Sequence, residues 1–215
     1  MSQAASFSPA LPDDPPPIIG EPPRLTRKLD KWRFRPWFRH GEFSTDWATS
    51  HFWVWRRVLA PLRGRGAQVL EIGSWEGRSA IFFLNYLRDC KIVCIDTFAG
   101  GVEHQTAGPF VAEVPQIEQR FDRNLAAFAG RVEKMTSASV PALQQLAAER
   151  RQFDLAYIDG IGAARRHRDL GRLHMVAGRA AGATAAAGDR RISRRHEGHY
   201  RLLAKGLQVI VRKLS

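Results

Sequence analysis

Val69-Leu-Glu-Ile-Gly-Ser-Trp-Glu-Gly-Arg-Ser-Ala80 passes from a short apolar run, through two glycines, into residues that favour helix. Gln68 to Ile72 predicts a strand and Gly73 to Gly77 a turn, while Ser79 to Leu87, with Ile81, Leu84 and Leu87 at helical spacing, predicts a buried helix. The same rhythm recurs outward from this stretch. Lys91 to Ile95 is a second β-branched run, ending at Asp96, and Phe153 to Ile158 is another, ending at Asp159. Between them Gln116 to Phe128 and Val140 to Arg150 have helical periodicity, and Arg131 to Met135 is a further candidate strand. Alternation at this spacing predicts an α/β fold with a doubly wound, mostly parallel sheet. Ligands of such sheets bind outside the carboxyl ends of the strands, where Glu71, Gly73, Asp96 and Asp159 fall.

The turn itself restricts the ligand. Gly73 lets the backbone turn sharply after the strand, and Gly77 opens an approach to the start of the helix. A dinucleotide site wants Gly-x-Gly-x-x-Gly, with a pyrophosphate on the helix N-terminus; Trp75 stands where the middle glycine belongs. Glu71 at the strand tip would repel a diphosphate and suits an ammonium or sulfonium. Asp96, ending the next strand, is placed to accept hydrogen bonds from both hydroxyls of a ribose. A nucleoside with a cationic, phosphate-free tail describes S-adenosylmethionine (SAM).

LEIGSWEGRSA, CIDTF and FDLAYIDG together resemble the class I SAM-dependent methyltransferases. They are most similar to the small-molecule O-methyltransferase branch, of catechol and sugar type. The resemblance covers Phe43 to Gly160 and resumes over the last dozen residues. It implies a Rossmann-like methyltransferase fold, with Gly73 and Gly77 lining the methionine and ribose of SAM beside Ser74, Trp75 and Ser79 of the same motif. It also implies that Glu71 acts on the methionine amino group through water, that Asp96 holds the ribose, and that Thr97 and Phe98 flank the adenosine. On the adenine side Thr136-Ser-Ala-Ser139 stands where the family commonly has Gly-Asp-Ser, which retains Ser139 and puts Ala138 in place of the acidic contact. Asp159 matches the family's catalytic-site aspartate, which in the metal-dependent branch is a Mg²⁺ ligand. The family pattern continues with Ser-His, a general base, and later with a metal-binding Asp-Asp pair. This chain has Ile161-Gly162, and then only Asp169 and Asp189, each alone; His167, His174, His196 and His199 match no motif position.

The chain of 215 residues is long enough for one domain with a sizeable core. Its net charge of +12 suggests nucleic acid until it is partitioned. Residues 1 to 160 hold 20 Lys/Arg against 18 Asp/Glu, and residues 161 to 215 hold 13 against 3, so the excess lies in the last quarter. Nucleic acid is therefore not the expected partner; a small-molecule acceptor is. No apolar run reaches the length of a membrane span, and Met1 to Gly20 has no apolar signal core, so a cytoplasmic setting is expected. Cys90 and Cys94 have no second pair to complete a zinc site and read as small buried hydrophobes.

Residues 1–23, with seven of the twelve prolines, read as a disordered leader, and residues 24–42 as a basic, aromatic arm. Trp32, Phe34, Trp37 and Phe38 in that arm either cover the domain beneath arginine stems or form a stacking surface for single-stranded nucleic acid. Residues 43–215 form the methyltransferase-like domain, beginning with a helix from Ser44 to Leu62 capped by Ser44 or Thr45. Within it, residues 161–197 are anomalous, with nine Arg, nine Ala and few large aliphatics, too few for a buried fifth strand. Apolar LQVIV at 207–211 then recovers a strand pattern. A compensated pair of frameshifts in a GC-rich gene, a natural insertion or an Arg-rich lid would each produce such a break. The alternatives to an active enzyme are a catalytically silent methyltransferase fold and an RNA-binding protein using segments 24–40 and 161–195.

Overall fold

A computed structural model describes residues 24–100, 111–159, 200–205 and 209–213. The Pro-rich leader, the segment 161–197 and its histidines lie outside the described residues. Six strands form one sheet in the order β3-β2-β1-β4-β6-β5: β1 (Gln68–Ile72), β2 (Lys91–Asp96), β3 (Val132–Thr136), β4 (Leu155–Ile158), β5 (Tyr200–Lys205) and β6 (Val209–Lys213). The pairs β1 with β2, β2 with β3 and β1 with β4 are parallel, while β6 runs antiparallel to β4 and to β5. The expected mostly parallel α/β sheet is thus present, and the strand beside β4 is the returning β6.

Central strands covered on both faces need apolar residues at consecutive positions, and β1, β2 and β4 supply them. Alternate residues feed two cores. Leu70, Ile72, Val93, Ile95 and Ile158 pack on α5 (Ser139–Ala148), through its Leu143 and Leu146. Val69, Cys94 and Tyr157 face the thicker, aromatic layer of α1 (Arg24–Phe34), α2 (Phe52–Val58), α3 (Arg78–Leu87) and α4 (Ile117–Leu125). Because α3 lies between the sheet and the N-terminal helices, it is apolar nearly all round.

The arm at 24–42 contributes directly to this core. Phe34 and Phe38 are buried, Phe34 edge-on to Phe52 and Phe82, whereas Trp32 stays 71% exposed with Arg35 over its ring. The expected helix from Ser44 to Leu62 is shorter than its pattern. Its α-helical part is Phe52–Val58, flanked by 3₁₀ turns at Thr49–His51 and Ala60–Leu62. The N-caps of the 3₁₀ turn and of α2 are Ala48 and His51 rather than Ser44 or Thr45, neither capping through its side chain, while Asp46 Oδ1 accepts from the Thr49 amide just before them. Cys90 and Cys94 are buried free thiols, Cys90 pushed up to about 11 by burial. Among the described residues no helix is long and apolar enough to cross a membrane.

Candidate active site

The carboxyl ends of β1, β2 and β4 bring Glu71, Asp96 and Asp159 to one edge of the sheet, under the turn from Gly73 to Gly77. Register places Glu71 between Cys94 and Tyr157. Gly73, at φ +86°, donates its amide to Ile95 O at 2.9 Å. A Cβ at this position would occupy the same space as the Asp159 carbonyl oxygen, so the glycine lets β4 close against the turn. Gly77 is also left-handed, at φ +78°, and caps α3. The space its Cβ would take is filled by Leu125 and Phe121 of α4, at 2.9 and 3.2 Å. This packing role is additional to the access read from the sequence.

Glu71 is fully buried. Burial pushes its carboxyl up to about 7, and the nearby Asp159 charge adds to this, while Ser79, Ser74 and Cys94 oppose it. Cys94 Sγ lies 3.4 Å from Oε2, and the Ser74 and Ser79 hydroxyls stand beside the carboxylate. Ser79 lies buried in the first turn of α3.

Asp96 is fixed by backbone. Its Oδ2 accepts from the Trp75 amide and its Oδ1 from the Phe98 amide, both at 2.8 Å, which ties the end of β2 to the glycine turn. Each oxygen keeps a lone pair for another donor. Trp75 itself is left-handed, and its ring lies 5.4 Å from that of Trp47. Thr97 is exposed, with Oγ1 accepting from the Ala99 amide. Phe98, expected beside an adenosine, is 5% exposed, left-handed at φ +53°, with its ring 5.0 Å from that of Phe121. Ser137 N donates to Asp96 O at 2.9 Å and so brings the loop before Ser139, the first residue of α5, to the same strand end.

Asp159 is half-buried, with its amide donating to Ile72 O and its Oδ2 accepting from Tyr157 Oη at 3.0 Å. Burial and the two neighbouring carboxylates hold the Tyr157 phenol well above its usual range, so it remains a donor. Among the described residues no group of three or more His, Cys, Asp or Glu could hold a metal ion, and Asp159 is the one of the expected Mg²⁺ ligands that lies among them. Asp169 and Asp189 lie outside them.

Sequence reasoning missed the fastening of the turn. Glu76 is buried and takes Arg120 Nη1 at 2.8 Å and the Ser44 amide at 2.7 Å. Asn124 donates to the Glu76 and Glu42 carbonyls, both at 2.9 Å, and accepts from the Glu42 amide. Arg120 and Asn124 are four apart, beside the buried stripe Ile117, Phe121 and Leu125. That spacing was visible in the sequence; the acidic partner in a distant turn was not.

Comparison with known proteins gives a family and a set of similar structures. Residues 70–176 match the family model described as a methyltransferase domain, a match that continues sixteen residues beyond Gly160. No curated protein matches. The fold is similar to an O-methyltransferase from Bacillus cereus in complex with SAH, at 18% identity and TM-score 0.43, over 73% of this chain and 63% of that one. It is also similar to a putative caffeoyl-CoA O-methyltransferase from Staphylococcus aureus, at 10% identity and TM-score 0.45, over 89% of this chain and 100% of the other. A putative O-methyltransferase from Klebsiella pneumoniae shares 14% identity at TM-score 0.40, over 87% and 97%. The chain thus spans less than two thirds of the Bacillus cereus enzyme.

Proposed function

From the match of residues 70–176 to the methyltransferase-domain model we propose that the chain is a SAM-dependent methyltransferase acting on a hydroxyl of a small molecule. The observation that carries this reading is the tie between Asp96 and the Trp75 amide, which unites the two halves of a nucleoside-plus-cation site. Asp96 offers its remaining lone pairs to a pair of ribose hydroxyls in a fixed orientation. Glu71, ionised, serves an ammonium through water, with the Ser74 and Ser79 hydroxyls beside its carboxylate. Gly73, Ser74, Trp75, Gly77 and Ser79 form the surrounding turn, with Thr97 and Ser139 in the neighbouring loops.

When bound, SAM supplies an electrophilic methyl on a sulfonium. The residues at the strand ends supply position and a proton acceptor, and holding acceptor and donor in line does most of the catalysis. Asp159, oriented by the Tyr157 hydroxyl at the end of β4, accepts the proton of the acceptor hydroxyl as its oxygen takes the methyl.

Titration calorimetry with SAM tests the reading: saturable heat at or below millimolar ligand is expected, and its absence overturns it. Asp96→Ala should abolish that heat. Asp159→Asn should leave SAM affinity within about twofold while removing turnover.

A further inference from the structure

The basic arm that made the sequence look like a nucleic-acid binder builds one wall of a cavity. The end of α1, the 3₁₀ turn after it (Arg35–Phe38) and the first residue of α3 enclose about 380 Å³, within the range of small-molecule pockets. Lys31, Arg35, Arg39 and Arg78 line it against a single carboxylate, Asp46. Asp46 is already engaged, with Oδ1 3.1 Å from Arg78 Nε and accepting from the Thr49 amide.

Arg78 is fixed by its neighbours. Its guanidinium lies 4.8 Å from the Phe38 ring centre and 4.7 Å from that of Phe43, Nη2 donates to Thr49 Oγ1 and to Asp46 Oδ2, both at 3.2 Å, and Nε lies 3.1 Å from Asp46 Oδ1. With that edge turned to Asp46, Arg78 and Asp46 form a neutralised pair, and the capture of an oxyanion falls to the other cations of the lining.

At the rim, Lys31, Arg35 and Arg39 have no carboxylate partner among the described residues. Arg35 lies over Trp32 and Arg39 Nε donates to His40. Elsewhere Arg123, Lys134 and Arg151 each meet an acid. Arg78 lies over the rings of Phe38 and Phe43, and Phe38 also stacks on Phe52 at 5.3 Å, which leaves charge rather than stacking as the means of recognition.

We propose that this cavity binds a small molecule through an oxyanion group, phosphate or carboxylate. The cavity adjoins the glycine turn, since Arg78 follows Gly77 directly, and Trp47 of its wall segment meets Trp75 of the turn. On the methyltransferase reading above, on which this last step rests, the bound molecule is the methyl acceptor, and the acceptor is an acid.

Calorimetric titration of the full chain with phenyl phosphate and with benzoate tests the proposal. Saturable binding of at least one is expected, weakened tenfold or more in the triple variant Lys31→Ala, Arg35→Ala, Arg39→Ala, with SAM affinity within twofold of the parent. These three side chains are exposed, so the variant keeps the core. Equal affinity in parent and variant, or no saturable binding of either anion, overturns the proposal. Steeply salt-dependent binding of oligouridylate that the variant loses, with neither small anion bound, also overturns it and assigns the patch to nucleic acid. Anion binding without any SAM heat upholds the cavity and overturns its role as acceptor site.

Discussion

A methyl group added at residue 73 would meet the Asp159 carbonyl oxygen, at a backbone angle (φ +86°) that L-residues rarely adopt. Gly73→Ala therefore combines conformational strain with displacement of β4 and should cost about 3 kcal/mol or more in urea unfolding. Gly77→Ala meets side chains rather than backbone, Leu125 at 2.9 Å and the Phe121 ring at 3.2 Å, and should cost less, about 1–2 kcal/mol. Glu71 makes a prediction of the opposite sign. Its carboxyl titrates at about 7 in the fold against 4.5 for the free group, so between these values the folded state binds the extra proton. Stability then falls as pH rises from 4.5 and levels off above 7, by about 3 kcal/mol for a 2.5-unit difference. Glu71→Gln should remove that loss, making the variant more stable than the parent at pH 8 and flattening its profile between pH 5 and 7. The same variant should bind SAM more weakly, because the charge that destabilises the fold serves the ligand's ammonium. A parent profile that is flat from pH 5 to 8 would refute the buried-carboxylate account.

Elements report how the turn is held. Asn124 alone clamps residue 42 by two hydrogen bonds and residue 76 by a third. Asn124→Ala leaves three backbone groups seeking partners and should cost about 2–3 kcal/mol. Exchange of the Glu42 amide hydrogen should accelerate at least tenfold while β1 amides stay protected; unchanged exchange at Glu42 would show that the clamp does not hold the segment. This junction also marks the limit of what the sequence made legible. β1, β2 and β4 could be read because strands buried on both faces carry apolar residues at consecutive positions, and the glycines and acids at and near their ends stood out against those runs. The helix before β1 was overextended because Phe52, Trp55, Val58 and Leu59 gave it period, while the local competition of Asp46 for the Thr49 amide leaves no mark in periodicity. The burial of Phe98 was not legible, because it accompanies a left-handed backbone at a residue that is not glycine. Glu76 was passed over because Arg120, its partner, lies forty-four residues away.

At the scale of the whole molecule, the net charge of +12 separates into a balanced region through residue 160 and a strongly basic remainder. What unifies the described part is aromatic packing. Phe34 from the arm meets Phe52 and Phe82, Phe82 stacks on Phe52 at 4.5 Å, and Trp55 stands edge-on to Tyr157 in β4, so one chain of rings runs from α1 to the sheet. An arm that only lay on the surface could detach without disturbing the sheet; an arm whose phenylalanine completes the core cannot. Phe34→Ala should therefore lower the global unfolding free energy by about 3–4 kcal/mol, the cost of emptying a well-packed aromatic site. The six tryptophans make the test decisive, since all fall between Trp32 and Trp75 and their fluorescence follows the N-terminal layer, while far-ultraviolet circular dichroism follows helices throughout. In both the parent and Phe34→Ala the two signals should change at the same denaturant concentration, with the variant's midpoint lower. A fluorescence transition preceding the dichroism change would mean that the arm and its aromatic layer unfold as a separate unit, and that the ring chain does not couple them to the sheet.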